Sequence, residues 1–209
     1  MSNIALYTFG LLDPAMELAA LDDLSSRGDE IYSAGDHAQG FLGRAEDDYD
    51  GDAVHAPGED FGRWGSYVLP LGLPGLAGHD PHVHIATLSL WQDVESARLF
   101  VYRGLHREAL KLRYDWFLKG SWPGHVLWNV EDGSVPRWSD GVARLEALAR
   151  DGESAQRFTF GSRWAEHDGA ARSMGCQWNP PTRANAGTGW TRSRAICCLI
   201  PGVKATCAG

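Results

Sequence analysis

"LWQDVESARLFVYRGLHREAL", residues 90–110, changes from a strand pattern to a helix pattern within three residues. Asp93 is a suitable N-cap residue for that helix, because its carboxylate can accept a hydrogen bond from a free backbone N–H group. At about 100° per residue, several apolar side chains share one helix face. These are Val94, Ala97, Val101, Leu105 and Leu112. The stretch therefore predicts one long helix that packs this face against a sheet, and Gly104 allows a bend that would rotate His106 relative to Tyr102.

Three polar side chains lie on the flank of that face, about 80° to 120° from its centre. They are Tyr102, His106 and Arg113. A side chain at such a boundary can reach a cavity between helix and sheet while it stays partly hydrated. We predict that His106 is a general acid or base, and that Tyr102 orients the imidazole or donates to a substrate oxygen. The structural alternatives are a hydrogen-bonded boundary histidine and a tyrosine with a buried ring and a hydrated hydroxyl.

The flanking segments predict the rest of an α+β domain. Working outward, strands are predicted at residues 3–10, 40–46, 83–91 and 125–130, with a possible last strand at 157–160. Helices are predicted at residues 15–34, where Asp13 and Pro14 provide the start, and at 139–152. The order β-α-β-β-α-β is the ferredoxin-like plan, a sheet with two helices on one face. A second copy of the chain is expected to cover the other face, so we predict a homodimer.

Several of these motifs are similar to those of one family. The chain resembles the DUF3291 family, within the dimeric α/β-barrel superfamily, from about residue 3 to residue 164. The resemblance is carried by Trp91, by residues 100–106, by Trp116-Phe117 and by Leu127-Trp128. It implies the ferredoxin-like fold and a dimeric α/β barrel, but no reaction. The wider superfamily includes cofactor-independent monooxygenases, polyketide cyclases, isomerases and haem-degrading enzymes, and so implies small-molecule chemistry.

Two segments depart from the family pattern. The predicted domain, residues 1–164, contains a loop insertion at 47–80, and residues 165–209 are predicted to be a poorly structured extension that holds all four cysteines. Within the insertion, residues 66–78 are rich in Gly, Pro and Leu, and we predict that they form a lid over the ligand pocket. The acidic residues 48–59 match a calcium loop only in part, so they are interpreted as solvated.

Composition excludes some functional classes. The formal net charge of −8 argues against a nucleic-acid surface, which depends on clustered Lys and Arg. The sequence has no run of 18 apolar residues and no signal-peptide pattern, so no membrane association is expected and a cytoplasmic location is predicted. Nucleotide-binding loops and the nucleophile and metalloprotease motifs are also missing.

A ligand site lined by aromatic side chains is predicted from the nine tryptophans. Its expected substrate-binding residues are Trp91, Arg113, Trp116, Trp128 and His84. The alternative is that the tryptophans fill the core and the dimer interface. His79, His82 and His84 also raise the question of a metal, but no nearby ligand set completes a site, so no metal is predicted.

The sequence thus favours a small-molecule tailoring enzyme whose ligand lies between the long helix and the sheet. We predict cofactor-independent, monooxygenase-type oxidation of a hydrophobic phenolic or quinone-like substrate, with His106 and Tyr102 as the catalytic residues. The alternatives are a cyclase or isomerase, a haem enzyme with His106 as axial ligand, and a non-catalytic ligand-binding dimer. The sequence identifies neither the substrate nor the reaction.

Overall fold

The computed structural model describes residues 2–45 and 56–166 as an α+β domain. Its strands are β1 (Asn3–Leu11), β2 (Phe41–Arg44), β3 (His84–Trp91) and β4 (His125–Val130). Its helices are α1 (Leu18–Asp36), α2 (Val94–Tyr102), α3 (Gly104–Trp116) and α4 (Trp138–Asp151), with short 3-10 helices at Gly62–Trp64 and Arg163–Glu166. The four strands form one antiparallel sheet in the order β2-β3-β1-β4. The α+β class predicted from the sequence is confirmed.

The two faces of the sheet are covered by different parts of the chain, because successive strand residues point to opposite faces. On the face we call the α4 face, Tyr7, Phe9 and Leu88 pack against α4 and against residues 61–76. On the opposite face, called the α2 face, Ile4, Leu6 and Leu127 pack against α2 and against Phe158 and Phe160. Helix α3 packs on α1 and α2.

The α4 face is the sheet face that a second copy of the chain was predicted to cover. Residues 61–76 contribute Phe61, Tyr67, Leu69, Leu73 and Leu76 to its core, and all five are buried. The homodimer was predicted because one sheet face was expected to be uncovered. In the described residues that face is covered by the chain itself, so this reason no longer holds. The lid predicted at residues 66–78 is not seen, because Tyr67, Leu69, Leu73 and Leu76 anchor this segment in the core, while residues 71, 72, 74, 75, 77 and 78 are exposed.

The predicted long helix is broken in two. Arg103 has an extended backbone (φ −130°, ψ 166°), and Gly104 has φ +53°, a left-handed value that glycine adopts without a steric penalty. The break ends the apolar stripe: Val94, Ala97 and Val101 are buried, whereas Leu105 is 49% exposed. One continuous stripe from Val94 to Leu112 was therefore the wrong prediction.

Smaller differences have local causes. Helix α1 begins at Leu18 rather than at residue 15, because the Asp13 carboxylate accepts from Ala15 N at 2.9 Å and forms a turn. The predicted last strand is an isolated bridge in which Phe158 pairs with Leu127. Most of the acidic loop and nearly all of the predicted C-terminal extension lie outside the described residues. Within the part of the chain described, no helix has both the length and the apolar character needed to cross a bilayer.

Candidate functional site

A surface groove lies where the break between α2 and α3 faces the C-terminal half of α1. It consists of two adjoining cavities of about 450 and 230 Å³ that share Leu99, Phe100 and Arg103. The larger cavity is also lined by Ala38, Gln39, Asp93, Glu95 and Ser96, and the smaller one by Ile31, Ala34, Gly104, Leu105 and His106. The smaller cavity is mainly apolar, with one imidazole from His106 and one guanidinium from Arg103.

The groove owes its form to the helix break. Because Arg103 is extended and Gly104 is left-handed, α3 starts in a new direction and exposes Leu105 beside the apolar residues of α1. The Asp93 carboxylate accepts from Ser96 N at 2.7 Å, so the N-cap predicted for α2 is confirmed. The groove therefore lies between helices, whereas the sequence predicted a ligand between helix and sheet.

His106 is the histidine that lines the smaller cavity. Its ring lies 5.3 Å from the Phe100 ring, centroid to centroid, and its Nδ1 atom is buried with no hydrogen-bond partner among the described residues. Burial lowers the pKa of His106, and the nearby backbone of His106 itself and of Val101 offsets part of the shift. At neutral pH the imidazole is consequently uncharged, the state in which it accepts a proton.

The structure separates His106 from Tyr102. Tyr102 ends α2, is 45% exposed and makes an edge contact with Phe160 at 5.4 Å between ring centroids. Because the chain turns at Arg103, the two side chains are not one turn apart on a common helix, as the sequence predicted. Tyr102 is also not among the residues that line the groove.

The five expected substrate-binding residues are dispersed. Trp91 is buried below the groove, with its ring 5.1 Å from that of Phe100 and its Nε1 donating to Ser89 Oγ at 2.9 Å. Trp116 is buried at the end of α3, whereas Arg113 is exposed and donates to Leu110 O at 2.8 Å. Trp128 lies on the α4 face beneath the Arg144 guanidinium. Of these five residues, only Trp91 is linked to His106 through aromatic contacts: Trp91 packs on Phe100, and Phe100 packs on His106.

His84 is also on the α4 face and is 4% exposed. Its Nε2 atom shares a hydrogen bond with Tyr67 OH, and the Phe9 ring packs against it at 5.5 Å between centroids. The Tyr67 ring edge in turn contacts Trp138. His84 is thus a satisfied core histidine that holds the buried segment 61–76 to β3.

Sequence reasoning missed His125. This residue starts β4, and its Nε2 atom is buried without a hydrogen-bond partner in the described part of the chain. Its ring packs on Phe160 at 5.2 Å between centroids, and burial lowers its pKa, which the charge of Glu153 partly offsets. The signal was available: alternation along "HVLWNV" puts His125 on the same face as the buried Leu127.

The described residues do not fit a haem. An axial histidine needs a deep slot for a macrocycle, whereas His106 lies on the wall of a shallow groove between helices. The Phe100 ring also occupies one side of the imidazole. Residues 2–45 and 56–166 contain no group of three or more metal-binding side chains.

Comparison with known proteins gives one match. Residues 3–174 match the family described as a domain of unknown function, DUF3291. Neither a curated protein nor a solved structure matches the chain. The match spans more than half of the 209 residues, and the chain therefore belongs to the DUF3291 family.

Proposed function

We propose that this protein is a small-molecule tailoring enzyme with its active site in the groove between α1 and the α2–α3 break. The observation that carries the proposal is an uncharged imidazole, His106, on the wall of a mainly apolar cavity. A general base must be neutral to accept a proton, and a pKa near or below the working pH keeps it so. A flat, largely apolar substrate suits the lining of Leu99, Phe100 and Leu105.

Arg103 supplies the polar part of the recognition. It lines both cavities, and its side chain pairs with no carboxylate of the described residues, although Asp93 and Glu95 line the larger cavity. A guanidinium stabilises an oxygen anion through charge-assisted hydrogen bonds. Removal of a proton by His106 would produce such an anion on a phenol or an enolisable ketone, and Arg103 would stabilise it.

Cofactor-independent oxidation is the reaction class we propose. In such a reaction, His106 removes a proton from an activated CH₂ group, and the resulting phenolate or enolate reduces O₂. One oxygen atom becomes the carbonyl oxygen of the product, and the other leaves as water with the two hydrogens of the CH₂ group. A cyclase or isomerase would use the same proton abstraction without consuming O₂, so oxygen uptake separates the two classes.

The test uses anthrone, a tricyclic ketone with one oxidisable CH₂ group. The wild-type protein should consume O₂ and form the quinone, and His106→Ala should lower turnover by roughly 10² to 10⁴. Arg103→Gln should mainly lower kcat, by roughly tenfold or more for the loss of one charged hydrogen bond, because the anion that Arg103 stabilises forms only after proton removal. His82→Ala, the same change at an exposed histidine outside the groove, is the control. Full activity of the His106 variant would overturn the assignment, and anthrone binding without O₂ uptake would leave a cyclase, an isomerase or a ligand-binding protein.

The ferredoxin-like arrangement belongs to the same proposal. It is supported by the strand order β2-β3-β1-β4 and by α-helices in the β1–β2 and β3–β4 connections. A dimeric barrel would need a free sheet face, and the α4 face is filled by the chain's own residues. If the protein is a homodimer, its interface must therefore use another surface. Light scattering at micromolar concentration tests this, and a monomer would end the homodimer prediction.

A further inference from the structure

The larger of the two cavities in the groove has no part in the proposed proton transfer. It encloses about 450 Å³, about twice the volume of the cavity beside His106, and the two cavities adjoin at Leu99, Phe100 and Arg103. An aromatic ring that lies beside His106 therefore leaves an adjoining space for a substituent. The residues that line this space determine what the substituent can be.

Two backbone segments form the walls of the larger cavity. One is the turn between α1 and β2, which carries Ala38 and Gln39, and the other is the first turn of α2. Gln92 N donates to Gly40 O at 2.7 Å, and a side chain at Gly40 would collide with Ser96. The two segments are thus held in close contact, so the cavity is formed before a ligand binds.

The polar side chains of the larger cavity are accessible to a ligand. Gln39 and Glu95 are exposed, and Asp93 and Ser96 are partly exposed. The side-chain amide of Gln39 makes no hydrogen bond within the described chain. One carboxylate oxygen of Asp93 accepts from Ser96 N at 2.7 Å, and the other has no donor among the described residues. The lining therefore offers unused acceptors from carboxylates and both donor and acceptor atoms from an amide.

The charges around the larger cavity are close to balance. The carboxylates of Asp93 and Glu95 are opposed by the Arg103 guanidinium, which also lines the cavity. The Arg98 guanidinium lies outside the lining, with its Nε atom 3.9 Å from a carboxylate oxygen of Glu95. Neither an anion nor a cation gains a clear net attraction from two carboxylates and two guanidinium groups. A neutral substituent is therefore favoured.

Hydroxyl groups are the neutral groups that match this lining best. Carboxylates only accept hydrogen bonds and a guanidinium only donates them, so a ligand must do both to pair with Asp93, Glu95 and Arg103. Each hydroxyl can donate and accept. A saturated ring with several hydroxyls presents such groups in several directions, and its C–H side suits the apolar wall at Leu99.

We propose that the substrate is an aromatic compound that carries a neutral polyhydroxylated ring such as a sugar. The aromatic part lies in the smaller cavity beside His106, and the hydroxylated ring lies in the larger one. This inference rests on the proposed function, because it places the reacting ring beside His106. Gln39, Asp93 and Glu95 then select the substrate without taking part in the proton transfer.

The probe is 1-naphthyl β-D-glucoside, and 1-methoxynaphthalene is the matched compound that keeps the rings and the ether oxygen but lacks the sugar. In calorimetric titrations of the full chain, the glucoside should bind at least roughly fivefold more tightly, the gain of two weak hydrogen bonds. Gln39→Ala should lower the glucoside affinity roughly two- to tenfold, the loss of one hydrogen bond, and leave the affinity for 1-methoxynaphthalene unchanged. Gln156→Ala, the same change at an exposed glutamine outside the groove, is the control.

Three results would overturn this proposal. Equal affinity for the two compounds would show that the sugar finds no partners. Unchanged glucoside affinity in both Gln39→Ala and Glu95→Ala would place the sugar outside the larger cavity. Tighter binding of 1-naphthylmethylamine or 1-naphthyl phosphate than of the glucoside would show that the cavity selects a charged group.

This test is separable from that of the proposed function, because it measures binding rather than turnover. His106→Ala should lower O₂ uptake with anthrone and keep the preference for the glucoside. A preference for the glucoside in a protein that consumes no O₂ would reject the reaction but support the two-part ligand. O₂ uptake without that preference would support the reaction and reject the polyhydroxylated substituent.

Discussion

The two faces of the sheet differ in how their buried histidines are bonded, although the buried Tyr7 hydroxyl of the α4 face also lacks a partner among the described residues. On the α4 face, apolar side chains fill the space and the buried His84 is paired with Tyr67. On the α2 face, His106 and His125 each keep a buried ring nitrogen without a partner in the described chain. Dense packing favours stability, whereas unpaired polar groups cost stability and are typical of places where a ligand binds. We infer that the α4 face contributes most to stability, and the proposed chemistry is assigned to the side of the sheet that carries His106.

The sharpest test of this contrast is truncation of Trp138. Its side chain is fully buried on the α4 face and contacts the rings of Tyr7, Phe61 and Tyr67. Trp138→Ala should lower the free energy of unfolding by about 3–5 kcal/mol, measured by urea denaturation. Leu105→Ala at the half-exposed wall of the groove is the control and should change it by less than about 0.5 kcal/mol. Comparable losses would show that the groove is as tightly packed as the core.

Two tyrosines on the α4 face allow a finer test. Tyr67→Phe removes the hydroxyl that bonds to His84 and leaves a buried imidazole nitrogen without it, so it should cost about 1–3 kcal/mol. Tyr7→Phe removes a buried hydroxyl that has no partner among the described residues, so stability should be unchanged or higher. Both values come from urea denaturation. A large loss on Tyr7→Phe would mean that a water or other group satisfies that hydroxyl.

The helix break gives a prediction whose sign depends on the fold. In one long helix, replacing Gly104 by Ala would stabilise the protein. Because Gly104 has φ +53°, Gly104→Ala should instead destabilise it by about 1 kcal/mol. Gly28→Ala is the matched control: Gly28 lies inside α1 with no atom within 4 Å of an added Cβ, so the change should stabilise by about 0.5–1 kcal/mol. If both substitutions stabilise the protein, α2 and α3 form one helix.

The last test concerns pH. Burial lowers the pKa of both His106 and His125 below the unfolded value of about 6.5, so between the two values the unfolded chain binds more protons. The free energy of unfolding should therefore fall as pH drops from about 7.5 towards 5, by at most about 1.4 kcal/mol per pH unit for each histidine. His106→Gln and His125→Gln should each flatten this slope. An unchanged slope would show that the histidines are hydrated in solution.

Local sequence patterns were sufficient for much of the fold. Alternation and apolar runs located the four strands, and the periodicity of "SDGVARLEALARDG" located α4 to within a residue of Trp138–Asp151. The Asp93 cap was likewise predictable, because a carboxylate and the amide three residues later are within reach in any helix start. His106 was singled out from its position on a continuous helix, which the break at Arg103 and Gly104 interrupts, so its catalytic role stays a prediction.

Tertiary structure decided the rest. A break at Arg103 and Gly104 placed Tyr102 and His106 on different helices. The sequence allowed a bend at Gly104, but glycine is compatible with both a continuous and a broken helix, so periodicity could not decide between them. Residues 61–76 pack on the α4 face, and the sequence does not show which face of the sheet a loop segment will cover. The sequence by itself determined which segments are strands and helices, since these depend on neighbours in the chain. Only the tertiary structure decided which side chains meet, because contacts between distant segments depend on how the whole core is filled.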